Sequence, residues 1–294
     1  MTREDVRRRA LASYLGLAVG DALGATTEFM TPREVQSAFG IHKEITGGGW
    51  LRLKPGKVTD DTEMALALGA ALLARRGMDA KSVADAFVGW MRSKPVDIGG
   101  TVRRGIQRYI VNGSTVAEAS DQSAGNGAAM RNLPVAIATL NDDGLFREWT
   151  ITQATITHNN PQSDVGCLLL GDITRQAILK GQSAPLHTLA RGWVTLYPEF
   201  DLKKFKTADT SGYIVHTVRV ALNYFFNTTD FESCLIGVVN LGGDADTNAA
   251  LAGQMAGAFY GLDSIPSRWL KKLDPAVKTR IEEQVEGLMK LAFP

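Results

Sequence analysis

The stretch Val6-Arg7-Arg8-Arg9-Ala10-Leu11-Ala12-Ser13-Tyr14-Leu15-Gly16-Leu17-Ala18-Val19-Gly20-Asp21-Ala22-Leu23 decides the fold class. Its apolar residues recur at helical spacing, and Gly16, Gly20 and Gly24 fall on one helix face because every fourth residue does. Glycine inside a helix costs about 0.5–1 kcal/mol relative to alanine. The stripe therefore predicts a helix held very close to a neighbour, either for packing alone or for packing that also shapes a pocket. Gly253, Gly257 and Gly261 form a second such stripe. Helical periodicity also marks residues 64–73, 83–91, 215–226 and 249–260, whereas β-branched runs such as Val238-Val239 are short. An all-α fold is expected. No linker rich in Pro, Gly or Ser divides the chain, so residues 1–294 are expected to form a single domain.

Composition narrows the function. With 45% hydrophobic and 21% charged residues the chain reads as globular rather than disordered. Thirty-two Lys plus Arg against 31 Asp plus Glu give a net charge of +1, which argues against a nucleic-acid or anionic-membrane partner. Arg7-Arg8-Arg9 follows Glu4 and Asp5 and reads as the solvated start of a helix. Cys167 and Cys234 sit in apolar stretches without metal or redox spacing, as buried thiols of a reducing compartment do. No signal-peptide pattern opens the chain, and Asp21, Asn240 and the glycines interrupt the longest apolar stretches, so a cytoplasmic protein with no membrane span is expected.

Against this ordinary background, Thr59-Asp60-Asp61-Thr62 and Asp244-Ala245-Asp246-Thr247 stand out. Each precedes a helical run. Asp60 with Glu63 three residues on has capping-box spacing, which explains one carboxylate but not two at each site. Adjacent carboxylates repel, and a divalent cation is the simplest compensation. The donors are oxygen only, with no His or Cys at zinc spacing, so magnesium or manganese fits better than zinc, and the EF-hand spacing of a calcium loop is absent. A carboxylate shared between clusters would bridge two ions, as in hydrolytic sites.

The motifs, taken in order, resemble the ADP-ribosylglycohydrolases over nearly the whole chain: residues 16–24 with Glu28, Thr59-Asp60-Asp61-Thr62, the run from Gly125-Asn126-Gly127 to Met130-Arg131, Thr157-His158, and residues 242–248. The resemblance implies a compact orthogonal helical domain with a binuclear Mn2+ or Mg2+ centre. Its ligands would be Thr59, Asp60, Asp61, Asp244, Asp246 and Thr247, with Glu28 on or near the second ion. It further implies hydrolysis of the N-glycosidic bond of ADP-ribosyl-arginine on a protein, nearest to the bacterial members that act on dinitrogenase reductase, the nitrogenase iron protein. Reversal of ADP-ribosylation would then regulate nitrogen fixation, with a nitrogen-signalling regulatory protein as a further partner. ADP-ribosyl-serine and O-acyl-ADP-ribose stay open as substrates. So does a non-catalytic role on the same fold.

Cleaving a guanidinium-linked glycoside requires a proton carrier. Asp97, in the loop made by Pro95 and Gly99-Gly100, is the candidate, and helix capping is its other reading. Asp60 and Asp246 complete the expected catalytic set. Backbone amides of Gly99-Gly100-Thr101 and Gly125-Asn126-Gly127 are expected to receive phosphate, since glycine lets the chain approach an anion closely. Met130 and His158 are expected beside them, and Tyr213 as a stacking surface. Arg131 either assists phosphate or pairs with a carboxylate.

Overall fold

The computed structural model describes residues 2–294. In chain order its helices are α1 (Arg3–Gly24), α2 (Pro32–Phe39), α3 (Asp60–Arg75), α4 (Ala80–Arg92), α5 (Gly100–Asn112), α6 (Leu133–Ala138) and α7 (Asp143–Thr155). There follow α8 (Pro161–Lys180), α9 (Leu186–Leu196), α10 (Ile214–Asn227), α11 (Phe231–Val239), α12 (Ala245–Tyr260), α13 (Ser267–Lys272) and α14 (Pro275–Ala292). No strand occurs among the described residues, and the all-α expectation holds. Val238-Val239, the β-branched pair, ends α11.

The centre of the molecule is the pair α1 and α12. Thr2 and Asp5 start α1 with a reciprocal capping box. Every residue from Ala12 to Glu28 is buried, as is every residue of α12 from Ala245 to Ala258. A helix buried on all faces belongs to the core, with other helices around it. Here α8, α10 and α11 pack on α12, while α3 and α14 pack on α1.

The glycine stripes set how close the central pair comes. A Cβ on Gly16 would lie 2.2 Å from the carbonyl oxygen of Gly253, one on Gly20 2.1 Å from that of Ala249, and one on Gly24 2.3 Å from that of Ala245. These pairings run in opposite directions along the chain, so the helices are antiparallel. The last turn of α1 is thereby held against the first turn of α12. The close packing that the stripe predicts is observed, with each of the three glycines set against the backbone of the neighbouring helix.

The arginine run departs from its expectation at its third member. Arg7 and Arg8 pair with acidic groups at the surface. Arg9 instead turns inward and donates from Nη1 to the carbonyls of Ala258 and Phe259, both at 2.8 Å. Those carbonyls close α12, where a cation satisfies acceptors that the helix leaves free. No helix among the described residues is long and apolar enough to cross a membrane.

Candidate metal centre and cleft

Both acidic clusters open helices, as expected, but the capping is arranged differently. Thr59, extended at φ −108° and ψ −163°, precedes α3 and makes no side-chain cap. Asp60 and Asp61 lie in the first turn. Glu63 does not reach back to form a capping box; it accepts from Trp90 Nε1 at 2.9 Å and sits 3.4 Å from Lys57 Nζ.

The free amides of α3 are taken by a carboxylate from another helix. Asp21 accepts from Thr59 N at 3.0 Å and Thr62 N at 3.1 Å, and from the hydroxyls of Thr59 at 2.9 Å and Thr62 at 2.5 Å. With its amides capped from α1, α3 leaves Asp60 and Asp61 free to face elsewhere. Asp21 is not among the site residues expected from the sequence. Its signal was present, because an aspartate near the end of a helix, flanked by the apolar run from Tyr14 to Ala25, must be compensated by buried partners.

The two clusters meet. Thr59 Oγ1 lies 3.2 Å from Asp61 Oδ2 and 3.5 Å from Asp246 Oδ2, and Thr247 Oγ1 lies 3.3 Å from the same Asp61 oxygen. Glu28, Asp244 and Asp246 each bring a carboxylate oxygen within 4.8 Å of the others. Trp50 Nε1 holds Glu28 Oε2 at 2.6 Å, a contact that the sequence did not announce beyond the glycines preceding the tryptophan. Asn126 donates to Asp244 and also, at 2.9 Å, to Thr217 Oγ1.

Among the described residues, no lysine or arginine is paired with any of these carboxylates. Burial, reinforced by neighbouring carboxylates, pushes Glu28 and Asp60 up to about 8. Burial likewise raises Asp21 and Asp244 to about 6, and raises Asp61 and Asp246 well above the usual carboxylate range. Asp61 Oδ1 is buried without a hydrogen-bond partner. An orphaned carboxylate oxygen, hydroxyls and further carboxylates within a few ångströms fit a hard divalent cation.

Above the cluster opens a cavity of about 860 Å³. Glu28, Asp60, Asp244, Asp246 and Thr247 reach it from the floor; Asp97, residues 99–102, Gly125 to Gly127, Met130 and His158 line the walls, with Phe29 and Trp50 at the rim. Thr59 and Asp61 lie beneath this lining and touch it through their neighbours. Asp97 is half-buried and accepts from Ile98 N at 2.8 Å, so it does not cap α5; Gly99 occupies that position, and its amide donates to Asp60 Oδ2 at 3.3 Å. The segment Thr207 to Gly212, unmarked in the sequence by any motif, supplies another wall.

Two residues sit apart from the cleft. Tyr213 is not among the lining; its hydroxyl donates to Gln162 Oε1 at 2.8 Å, and its neighbours Ser211 and Gly212 face the cavity instead. Arg131 reaches neither the cavity nor a carboxylate. It lies fully buried, with its guanidinium 4.4 Å from the centre of the Phe87 ring.

Helix starts that gather uncompensated carboxylates at the floor of a cleft define an all-α protein with an acidic cluster able to hold metal beside a cavity of small-molecule size. The chain belongs to the ADP-ribosylglycohydrolase family, whose sequence model matches residues 2–293. It is 51% identical to the ADP-ribosyl-[dinitrogen reductase] glycohydrolase of Rhodospirillum rubrum, over 99% of each chain. It is 33% identical to the ADP-ribosylarginine hydrolase Tri1 of Serratia proteamaculans, over 97% of this chain and 80% of that one. Among solved structures, an ADP-ribosylglycohydrolase-related protein complex contains a chain that superposes with a TM-score of 0.87 at 34% identity, over 99% of this chain and 100% of the other. The protein is accordingly a hydrolase of ADP-ribosyl linkages.

Proposed function

We propose that this chain, acting as one domain, removes ADP-ribose from an arginine side chain of dinitrogen reductase, with two divalent cations, Mn2+ or Mg2+, in its acidic cluster. The observation that carries the chemistry is the meeting of carboxylates from the starts of α3 and α12 without a counter-cation at the floor of the cleft. Two relatives support the linkage and the target. One acts, by name, on ADP-ribosyl-dinitrogen reductase and shares 51% of its residues over nearly the full length; the other is an ADP-ribosylarginine hydrolase.

Glu28, Thr59, Asp60, Asp61, Asp244, Asp246 and Thr247 would hold the ions. When bound, such ions neutralise the carboxylates and polarise oxygen ligands. The remaining work falls to the chain. Backbone amides at Gly100, Thr101, Gly125 and Gly127 receive the diphosphate, while Gly99 and Asn126, whose amides are given to Asp60 Oδ2 and Gly212 O, shape the same two loops, and Met130 and His158 close the wall. As the bond from the anomeric carbon to nitrogen breaks, its electron pair goes to the guanidine. Water oxygen bonds to the anomeric carbon, and the Asp97 carboxylate takes the proton that water loses and passes it to the departing guanidine. Asp60 and Asp246 fix the geometry from below.

The test is incubation with dinitrogen reductase carrying ADP-ribose on arginine, followed by intact mass and reductase activity. Loss of the ADP-ribose mass with recovery of activity is the expected result. Cleavage of an ADP-ribosyl-arginine peptide with no action on the reductase would overturn the target alone, and cleavage of neither would overturn the linkage as well.

A further inference from the structure

Behind His158 in the cleft wall lies a buried chain of polar groups, Arg131, Gln153 and Thr157, that the reaction described above does not use. Arg131 donates from Nε to Gln153 Oε1 at 2.8 Å, and from Nη2 to Gln153 O at 2.9 Å and Thr157 Oγ1 at 2.8 Å. Thr157 Oγ1 lies 2.7 Å from His158 Nδ1. All of these side chains are buried. Their arrangement has a direction because a guanidinium has donors only, while a hydroxyl has a single proton to give.

With Arg131 donating to it, Thr157 Oγ1 has its own proton left for one acceptor. His158 Nδ1 is the acceptor at hand; the hydroxyl makes no other hydrogen bond among the described residues. The reverse arrangement, with Nδ1 protonated, would leave the buried hydroxyl proton without a partner, which costs about 1–3 kcal/mol. The imidazole proton therefore belongs on Nε2. That nitrogen has no hydrogen bond from the protein among the described residues, and His158 lines the cavity. Its edge is left open by glycines: a Cβ on Gly127 would lie 2.8 Å from His158 Cε1, and one on Gly125 3.2 Å from Nε2.

We propose that Arg131 and Thr157 are positioning residues that hold His158 as a neutral imidazole with its proton on Nε2, giving the cleft a fixed N–H donor for an oxygen of the ADP-ribosyl group. Gln153 holds the guanidinium in turn, with its own Nε2 anchored to the carbonyl of Ala128 at 3.0 Å. Burial and the adjacent Arg131 charge depress His158 to about 3, so the donor stays neutral throughout the working pH range of a cell. This role rests on the proposed ADP-ribosyl site; the tautomer itself does not.

The experiment is long-range proton–nitrogen NMR of the full-length protein labelled at histidine, with the His158 signals assigned by their loss in His158→Asn. The expected ligand-free spectrum shows His158 protonated at Nε2, and titration with ADP-ribose moves that signal. Ribose 5-phosphate and adenosine 5′-phosphate, added separately, tell which half of the molecule supplies the acceptor oxygen. Thr157→Val is expected to lose the single tautomer and to weaken ADP-ribose binding about tenfold, while Thr157→Ser restores both. A proton on Nδ1 in the ligand-free protein would overturn the inference whatever the enzyme hydrolyses. An Nε2 proton whose signal ignores bound ADP-ribose would overturn the donor role. Failure to cleave ADP-ribosyl-arginine with both NMR results as expected would count against the proposed activity alone.

Discussion

Asp21, from the buried core of α1, accepts hydrogen bonds from both the backbone amide and the hydroxyl of Thr59, 38 residues further along the chain. Through this one carboxylate the central helix fixes the residue from which the first acidic cluster begins. Outer groups of this kind orient metal ligands, and their loss typically weakens metal binding by about 10- to 100-fold. Asp21→Asn should therefore fold and keep its helicity but bind manganese about 10- to 100-fold more weakly by titration calorimetry. Unchanged affinity would show that α3 places its carboxylates without help from α1.

The glycine stripe makes a second demand. Gly20→Ala places a methyl 2.1 Å from the Ala249 carbonyl oxygen, a backbone atom that cannot turn aside. Overpacking of this kind costs about 1–3 kcal/mol or more, and here it also pries the last turn of α1 from the first turn of α12. Chemical denaturation should show that loss, together with weaker manganese binding. Gly89→Ala, on the exposed face of α4 with nothing within 4 Å, is the contrast, and should gain about 0.5–1 kcal/mol from helix propensity. Equal effects of the two changes would contradict the close-approach account.

Stability should depend on pH in a direction set by the raised carboxylates. A group that holds its proton more tightly when folded contributes stability below its ordinary range and loses it as pH rises through the folded value. Those values are about 6 for Asp21 and Asp244 and about 8 for Glu28 and Asp60. The chelated protein should therefore melt at progressively lower temperature as pH rises through that window. Manganese should oppose the fall, so its gain in Tm grows with pH, because binding displaces the retained protons. Calorimetry across the window checks this; a gain independent of pH would mean that the ions bind outside the cluster.

Asp97→Asn separates proton transfer from assembly. Asp97 lines the cleft and contacts the backbone only at Ile98 N, so an amide should be accommodated with little loss of stability. Turnover should fall by about 100-fold or more, the usual contribution of a positioned acid or base. Manganese and ADP-ribose affinities should stay near those of the unaltered protein. Near-normal turnover would remove Asp97 from the proton path.

Much of this was legible from residues because local chemistry announces itself. The helical periods of residues 6–23 and 215–226 reappear within a few residues of their bounds as α1 and α10. Both acidic clusters open helices, as their position before apolar runs implied. What could not be read is what happens between distant segments. Capping-box spacing at Asp60 and Glu63 is a local signal, and it yielded to Asp21, which no local rule connects to Thr59. Arg131 offered charge for a ligand or a carboxylate, yet tertiary packing placed it on Phe87 behind the histidine. Tyr213 sits next to the cleft in sequence and turns its hydroxyl to Gln162 in space. The segment from Thr207 to Gly212 has no motif, since a wall of a cavity needs position more than chemistry.

The central claim, that the acidic cluster serves hydrolysis of ADP-ribosyl-arginine, is tested most directly by offering the purified protein arginine-linked and serine-linked ADP-ribosyl peptides, each with manganese and with chelator, and measuring released ADP-ribose. Release from the arginine-linked peptide with manganese, and its loss on chelation, is the expected result. Release from the serine-linked peptide alone, or arginine-linked release that survives complete chelation, would contradict it.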